Sequence, residues 1–204
     1  MLFRSAFDEY FDEATRTVLA EVTRITHIVQ AFTDFARLPA PSLGPTDLVA
    51  AARDVVGLHA AGGAKVELVS APCPDVRADR DQVVQLLTNL VQNAIDAASA
   101  AASPRVIVDV RPVEGDRARL SVRDNGAGIS PEIRARLFEP YVTTKPGGTG
   151  LGLAIAQRIA IEHGGEIGYA DAAGGGTEFT VTLPVRGPTL LAEAPSSGLP
   201  GERT

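Results

Sequence analysis

Apolar residues recur at every third or fourth position through the first forty residues of the chain. The series starts near Phe7 and forms a broad stripe through Phe11, Ala14, Val18, Val22, Ile25, Ile28, Val29, Phe32, Phe35 and Ala36. This spacing predicts one long helix that ends near Leu38, where Pro39 and Pro41 interrupt the pattern. Since so broad an apolar face must be covered, we expect a helical hairpin or a dimer bundle whose second helix is not evident in this chain.

Beyond this break, helical and strand patterns follow one another. Helical spacing predicts helices at residues 46–58, 79–101 and 131–137, and another from the glycine-rich run near residue 150 to His163, capped by Gly164 and Gly165. Alternation predicts strands at residues 65–70, 76–78, 105–111, 117–123, 166–170 and 177–183. The third and fourth of these strands are expected to form a hairpin that is compatible with a sheet edge.

These patterns divide the chain into three parts. We expect a partial helical element at residues 1–41, one domain at residues 42–186 and a tail at residues 187–204. A chain of 204 residues with 45% hydrophobic content can bury one core with a helix appended to it. The tail is rich in Pro, Gly, Ser and Glu and has little to bury, so we expect it to be disordered.

Composition narrows the classes of function. The single cysteine, Cys73, excludes an internal disulfide framework and makes the cytoplasm the natural compartment. No apolar run approaches the roughly 20 residues of a membrane span, and the amino terminus lacks the apolar core of a secretion signal. A net charge of −6 without clustered Lys and Arg argues against a nucleic-acid surface. We therefore expect a soluble cytoplasmic chain that does not bind nucleic acid.

A glycine-rich run leads directly into a helical pattern at Lys145-Pro-Gly-Gly-Thr-Gly-Leu-Gly-Leu153. Glycines let the backbone approach an anion, and the free N–H groups of the helix that follows point at a bound phosphate. Lys145 adds a positive charge. The run is either a phosphate-binding loop or a flexible turn, and the remaining motifs must decide between the two.

Two asparagines lie four residues apart in the predicted helix at 79–101. This spacing places Asn89 and Asn93 on one face, one turn apart, in an otherwise apolar helix. Because a buried carboxamide needs partners, the pair has two interpretations. Either the Asn93 oxygen coordinates Mg²⁺ together with nucleotide phosphates and waters, or the two side chains form internal caps or bonds from the helix to a loop.

A carboxylate follows the predicted strand at residues 117–123. In Asp124-Asn-Gly126-Ala-Gly128 the glycines allow a ligand to lie against bare backbone, and Asp124 can accept a hydrogen bond from an exocyclic amine of a base. The alternative is an ordinary Asp-Asn-Gly surface turn. Taken alone, the motif does not separate these interpretations.

The order of these motifs resembles that of sensor histidine kinases of two-component systems, in particular the nitrogen-regulation type. The segment from Asn89 to Ala97 resembles their N box, residues 124–128 their first G box, the segment from Phe138 to Lys145 their F box, and residues 148–153 their second G box. The resemblance covers about residues 46–185. It implies an α+β fold, a two-layer α/β sandwich of the histidine kinase/gyrase type with a mixed sheet packed on helices, preceded by a long helix.

The resemblance also implies a role for each matching residue. Asn93 would bind Mg²⁺, Asn89 would lie beside the phosphates of ATP, and Asp124 would read the adenine amine. Gly126 and Gly128 would let the base approach, and Thr177 would support the adenine end through Asp124 or a water. The phosphates would be held, under a mobile lid at about residues 129–149, by Thr144, Lys145, Gly148, Thr149, Gly150, Leu151, Gly152 and Leu153.

The amino-terminal helix departs from the family pattern. The segment from Glu21 to Pro41 resembles the second helix of the dimerisation and phosphotransfer hairpin. The family carries its phosphoacceptor on the first hairpin helix, in a His-Glu-x-x-Asn-Pro type of box, and neither His27, His59 nor His163 has that context. The chain is thus expected to be part of a kinase whose acceptor histidine lies elsewhere.

The parent protein implied by the resemblance transfers the γ-phosphate of ATP to a histidine, for relay to the receiver domain of a response regulator. It is expected to form a homodimer through the amino-terminal helix, to be cytoplasmic, and to contact a membrane only through upstream segments. Two alternatives stay open. One is an ATP-binding or dimerisation module without kinase activity; the other is a serine kinase or ATPase of the same fold, although such enzymes carry a glutamate base where this chain has Asn89, which cannot accept a proton.

Overall fold

The computed structural model describes residues 13–19, 21–23, 25–26, 29, 33, 38–60, 62–145 and 148–188. The described residues before position 34 are all helical, as the apolar spacing predicts. His27 and most of the predicted tail lie outside the described residues. Within the described part of the chain, no helix is both long enough and apolar enough to cross a membrane.

The remaining elements alternate along the chain. In order they are β1 (Gly44–Thr46), α1 (Leu48–Leu58), β2 (Lys65–Ser70), β3 (Val76–Ala78), α2 (Arg80–Ala98), β4 (Arg105–Val113), β5 (Arg117–Asp124), α3 (Pro131–Arg134), α4 (Gly152–Glu162), β6 (Glu166–Asp171) and β7 (Thr177–Pro184). These elements confirm the predicted strands and helices to within a few residues at their ends. They also add β1, which the sequence patterns did not predict.

Five strands form one mixed sheet in the order β2-β4-β5-β7-β6. The pair β2–β4 is parallel, whereas the other neighbours are antiparallel. Residues alternate between buried and less buried along β7, so that Phe179, Val181 and Leu183 face the core. One face of the sheet therefore carries the apolar side chains that the helices must cover.

The helices form the second layer, with α2 in contact with both α1 and α4. Leu86, Leu87 and Leu90 of α2 are fully buried in the same apolar cluster as Leu120 of β5 and Ile159 of α4. This arrangement confirms the predicted two-layer α/β sandwich with a mixed sheet packed on helices. The core lies between the layers, and α2 is the middle helix of its layer, with α1 and α4 on either side.

Four predictions about local structure are corrected. Thr46 does not begin a helix: it pairs with Val76 in a two-stranded ribbon of β1 and β3, and Asp47 caps α1 by accepting hydrogen bonds from the next turn. The hairpin of β4 and β5 lies inside the sheet, because β2 and β6 form the edges. The helix predicted at residues 131–137 ends at Arg134, and that predicted at residues 79–101 ends at Ala98.

The start of α2 is tied to two other parts of the chain. Asp79 caps the helix by accepting hydrogen bonds from the backbone N–H groups of Asp81 (3.0 Å) and Gln82 (3.2 Å), and it also accepts one from Ser42 (2.8 Å). Its own N–H donates to Nε2 of the buried His163 at 2.9 Å, and Nδ1 of that ring lies 2.8 Å from the Ile159 carbonyl. His163 thus has a structural role, because it joins the end of α4 to the residue that caps α2.

Candidate functional site

A cavity of about 490 Å³ opens beside the polar face of α2. Asn89, Gln92, Asn93 and Asp96 line it, and their spacing of three and four residues places them in one row along the helix. The opposite side of the same helix is buried in the core. The predicted asparagine pair therefore belongs to a longer polar row that faces an open space.

Asp124 closes the inner end of this cavity at the end of β5. Its side chain is buried, with 3% of the residue exposed, and Oδ1 accepts a hydrogen bond from the Gly126 N–H at 2.8 Å. Burial raises the pKa of this carboxyl group, although hydrogen bonds from the backbone N–H groups of Gly126 and Thr177 oppose the rise. A carboxylate held in this way within a cavity is suited to accept a hydrogen bond from a ligand.

Glycines around Asp124 allow backbone segments to approach closely. A Cβ at Gly176, whose φ is +92°, would lie 2.2 Å from the Asp124 carbonyl oxygen, and a Cβ at Gly126 would lie 2.2 Å from the carbonyl oxygen of Ala97. Any side chain at either position would collide with backbone. These two glycines therefore let β7 and α2 pack against the segment that carries Asp124.

Residues 148–151 of the glycine-rich run lead into α4, and Gly148, Thr149 and Gly150 line the cavity. No side chain caps this helix, so its first-turn N–H groups have no side-chain acceptor. At Gly150 (φ +67°) a Cβ would lie 2.5 Å from the Tyr141 backbone, and the Gly150 carbonyl accepts a hydrogen bond from the Tyr141 N–H at 3.0 Å. The free helix end and the glycine backbone are features of an anion-binding site.

Lys145 is the first residue of the glycine-rich run, and its side chain reaches two residues of α2. Its Nζ atom donates to Oδ1 of Asn93 at 2.7 Å and to Oδ2 of Asp96 at 2.8 Å. The second carboxylate oxygen of Asp96 accepts a hydrogen bond from Gln92 Nε2 at 2.8 Å. In this structure a positive charge therefore sits directly on the side-chain oxygen that was predicted to hold Mg²⁺.

Part of the segment that follows Asp124 lines the cavity. We call residues 129–145 and 148–149 of this segment the lid. Its first part is anchored to β6, where both carboxylate oxygens of Asp171 accept hydrogen bonds from the Arg134 guanidinium at 2.7 and 3.1 Å. Phe138 of the lid packs near Tyr169 and Phe179, with ring centroids 6.3 and 6.5 Å away. One end of the lid is thereby attached to the sheet by aromatic and ionic contacts.

All predicted site residues except Gly126 and Leu151 line the cavity. The structure brings together Asn89, Asn93, Asp124, Gly128, Thr144, Lys145, Gly148, Thr149, Gly150, Gly152, Leu153 and Thr177. Leu151 is instead fully buried in the core, and its N–H donates to Thr149 Oγ1 at 3.4 Å. Gly126 packs against α2 rather than opening onto the cavity.

Sequence reasoning missed Gln92 and Asp96. Each follows one of the predicted asparagines by three residues, so helical spacing alone places both on the same face. Lid residues such as Ile133 and Leu137 also line the cavity, but no local signal in the sequence indicates that they face a ligand.

The donor set fits a nucleotide with a magnesium ion. The buried Nδ2 atom of Asn89 has no hydrogen-bond partner among the described residues, so a ligand in the cavity can supply an acceptor for it. The Lys145 ammonium already occupies a cation position on the Asn93 oxygen. No cluster of three or more His, Cys, Asp or Glu capable of holding a metal occurs in the described ranges.

Comparison with known proteins identifies the fold. Residues 78–187 match the family described as histidine kinase-, DNA gyrase B- and HSP90-like ATPase. The nitrogen regulation protein NtrY of Azorhizobium caulinodans is 39% identical over 188 residues, which are 88% of this chain and 24% of NtrY. The chain therefore spans about a quarter of the length of this relative.

Solved structures agree with this assignment. Full-length ShkA in complex with AMPPNP matches with a TM-score of 0.72 and 32% identity, over 86% of this chain and 39% of ShkA. Histidine kinase ThkA, in complex with response regulator protein TrrA, matches with a TM-score of 0.69 and 26% identity, over 83% of this chain and 49% of ThkA. The chain belongs to the histidine kinase-, DNA gyrase B- and HSP90-like ATPase family, and it carries the ATP-binding catalytic domain of a histidine kinase.

Proposed function

We propose that this chain binds Mg²⁺-ATP in the cavity beside α2 and transfers the γ-phosphate to a histidine that another segment supplies. The observation that carries the proposal is the position of Asn93, Asp124 and the free amino-terminal end of α4 around one cavity of about 490 Å³. These three features correspond to the three parts of the ligand: metal, base and phosphates. ShkA, a relative of known structure, holds AMPPNP.

Each group of residues has a distinct task in this proposal. The Asp124 carboxylate accepts a hydrogen bond from the adenine amine, and the backbone N–H groups of Gly126 and Thr177 hold it in place. The N–H groups at the start of α4 and along the glycine-rich run donate to phosphate oxygens. The Asn93 oxygen holds Mg²⁺, which when bound neutralises phosphate charge.

Among the described residues, no histidine lines the cavity. Asn89 lines the wall where related ATPases place a glutamate base, and its carboxamide cannot accept a proton. Phosphoryl transfer depends mainly on positioning and charge neutralisation. We therefore infer that the acceptor is a histidine on a helical hairpin, as the resemblance to sensor histidine kinases implies. The carboxamide at Asn89 argues against a hydrolytic or serine-kinase reaction.

The partners follow from the same inference. A response regulator is the proposed recipient of the phosphoryl group, because the solved structure of ThkA contains a response regulator protein. The exposed apolar side chains of the amino-terminal helix, which include Val18 and Val22, support a homodimer through that helix. A phosphotransfer experiment distinguishes the kinase from the silent module, by which we mean an ATP-binding module without kinase activity.

The test is a phosphotransfer assay in two components. This chain is mixed with labelled ATP, Mg²⁺ and an acceptor hairpin taken from a relative such as NtrY, and label on the hairpin is measured. We expect transfer from the wild-type chain and at least tenfold less from Asn93→Ala. ATP binding without transfer to several such hairpins would favour the silent module.

A further inference from the structure

The strongest unassigned feature is the pairing of Asp96 with the lid. Lys145 Nζ lies 2.8 Å from Asp96 Oδ2 and 2.7 Å from Asn93 Oδ1, so one ammonium joins the lid to two side chains of α2. Gln92 Nε2 donates to the other oxygen of the same carboxylate at 2.8 Å. Asp96 is therefore oriented on both sides, by Gln92 along the helix and by Lys145 across the cavity.

We propose that Asp96 is a positioning residue that holds Lys145 over the Asn93 oxygen in the nucleotide-free protein and releases it when Mg²⁺-ATP binds. The inference deepens the proposed function and rests on it. Its central element is a single lysine with two alternative partners, the Asp96 carboxylate before binding and the phosphates of the nucleotide afterwards.

Competition for the Asn93 oxygen makes the two states exclusive. Mg²⁺ binds oxygen ligands at about 2.0–2.1 Å, whereas the ammonium already lies 2.7 Å from the same atom. Two cations on one oxygen would lie within about 4 Å of each other and would repel strongly. The ammonium must therefore move before the metal takes this position.

The ion pair is suited to being broken. The side chains of Lys145 and Asp96 are 37% and 39% exposed, and ion pairs with this much contact with water are weak. A triphosphate carries several negative charges, so it attracts the ammonium more strongly than a single hydrated carboxylate does. After the exchange, the negative charge of Asp96 stays near the phosphates. A substitution of Asp96 therefore changes ATP affinity in two ways, by removing this repulsion and by releasing Lys145, and the experiment must separate the two effects.

A double-mutant cycle separates these effects. ATP affinity is measured by calorimetry in the presence of Mg²⁺ for wild type, Asp96→Asn, Lys145→Gln and the double variant. We expect Asp96→Asn to strengthen ATP binding, and to do so roughly two- to fivefold more when Lys145 is present than when it is replaced, because only then is a lysine released. An equal gain in both backgrounds would show that Asp96 acts through its charge alone, and would overturn the proposal.

Amide hydrogen exchange without nucleotide gives an independent readout. The Gly148 N–H donates to the Lys145 carbonyl at 3.1 Å, so it reports on the lid beside the lysine. We expect Asp96→Asn to speed exchange at Gly148. Asp171→Asn, which removes an ion pair from the other end of the lid, serves as the matched control and should leave this amide unchanged.

The two readouts keep the proposals distinguishable. A wild-type chain that fails to bind Mg²⁺-ATP would contradict the proposed function, while exchange at Gly148 would still show whether Asp96 holds the lid. Normal ATP binding with unchanged Gly148 exchange in Asp96→Asn would overturn the role of Asp96 and leave the proposed function intact.

Discussion

At the scale of single residues, the site buries polar groups, and their burial costs free energy unless a bound ligand supplies hydrogen-bond partners. Asp124 is the clearest case, because burial raises the pKa of its carboxyl group even though hydrogen bonds from three backbone N–H groups oppose the rise. An ionised carboxylate in this environment reduces the stability of the apo protein. We attribute its presence to ligand recognition rather than to folding.

We expect ATP binding to depend on pH through Asp124. Since the pKa of Asp124 lies above its ordinary value, its carboxylate becomes protonated at a higher pH than an exposed aspartate, whose pKa is about 4. Adenine binding should therefore weaken as pH falls towards this range. Asp124→Asn should weaken ATP binding at pH 7 by roughly five- to 150-fold, the equivalent of about 1–3 kcal/mol.

Calorimetric titrations of wild type and Asp124→Asn across pH test this prediction. The ratio of the two affinities cancels the titration of ATP itself, and it should shrink as pH falls. The sign for stability is the reverse: a raised pKa means that ionised Asp124 lowers the free energy of unfolding at neutral pH. Asp124→Asn should accordingly unfold at the same or a higher denaturant concentration, and a clear loss of stability would contradict our account of this residue.

At the scale of elements, α2 organises the domain, because it contributes both to the core and to the cavity wall. Its start depends on Asp79, which accepts three backbone hydrogen bonds. Burial alone would raise the pKa of Asp79, but the bonds from Ser42, Gln82 and Asp81 together outweigh burial and lower it. The Asp79 side chain thus stabilises the start of α2 and also holds Ser42, in the segment that leads into the domain.

We predict that Asp79→Ala lowers the free energy of unfolding by about 1–2 kcal/mol at pH 7. Because the folded-state pKa is lowered, the stabilisation is present above the ordinary aspartate pKa of about 4 and is lost as pH falls through and below it. The measurement is urea denaturation of wild type and Asp79→Ala at pH 7 and again below about pH 4. Asp81→Ala, which removes a charge from the same turn without removing the cap, should cost less; equal losses would contradict the capping role.

Several elements of the fold follow from sequence because their patterns are local. The alternation of β7 and the apolar face of α2 gave correct predictions, since each reflects burial on one side of one element. By contrast, β1 exists through pairing with β3, more than thirty positions away along the chain. It begins with Gly44 and Pro45, which are uncommon in strands, so the local sequence predicts a loop rather than a strand there.

The site residues divide in the same way, into those that local sequence predicts and those that depend on contacts between distant parts of the chain. Asn93, Asp124 and the glycine-rich run are recognisable from residue type and spacing. The role of Asp96 depends on where the lid places Lys145, and the fates of Gly126 and Leu151 depend on packing between elements. Contacts of this kind join distant parts of the chain, so no local pattern predicts them.

At the scale of the whole molecule, the described part of the amino-terminal helix leaves apolar side chains exposed. Val18, Val22, Ile25 and Val29 each remain 54–61% exposed. Apolar side chains repeated along one helix indicate a surface that another helix covers. We infer that a second copy of the chain provides this cover.

This inference predicts concentration-dependent dimerisation. Sedimentation of the full chain should show a dimer, and Val22→Glu should shift it towards monomer, because a two-fold interface would bring two added charges together. Val69→Glu, which introduces the same charge at a half-exposed position of β2, is the control and should leave the dimer unchanged. A wild-type chain that stays monomeric at all concentrations would contradict the inference.

The central claim is that the cavity beside α2 recognises ATP through its base as well as its phosphates. Titration of the chain with ATP and with GTP, each in the presence of Mg²⁺, tests it most directly. The Asp124 carboxylate can accept a hydrogen bond from the adenine amine, whereas guanine presents an acceptor oxygen at the equivalent position. We predict saturable binding of ATP at least tenfold tighter than that of GTP; equal affinity for the two, or no saturable binding of ATP, would contradict the account.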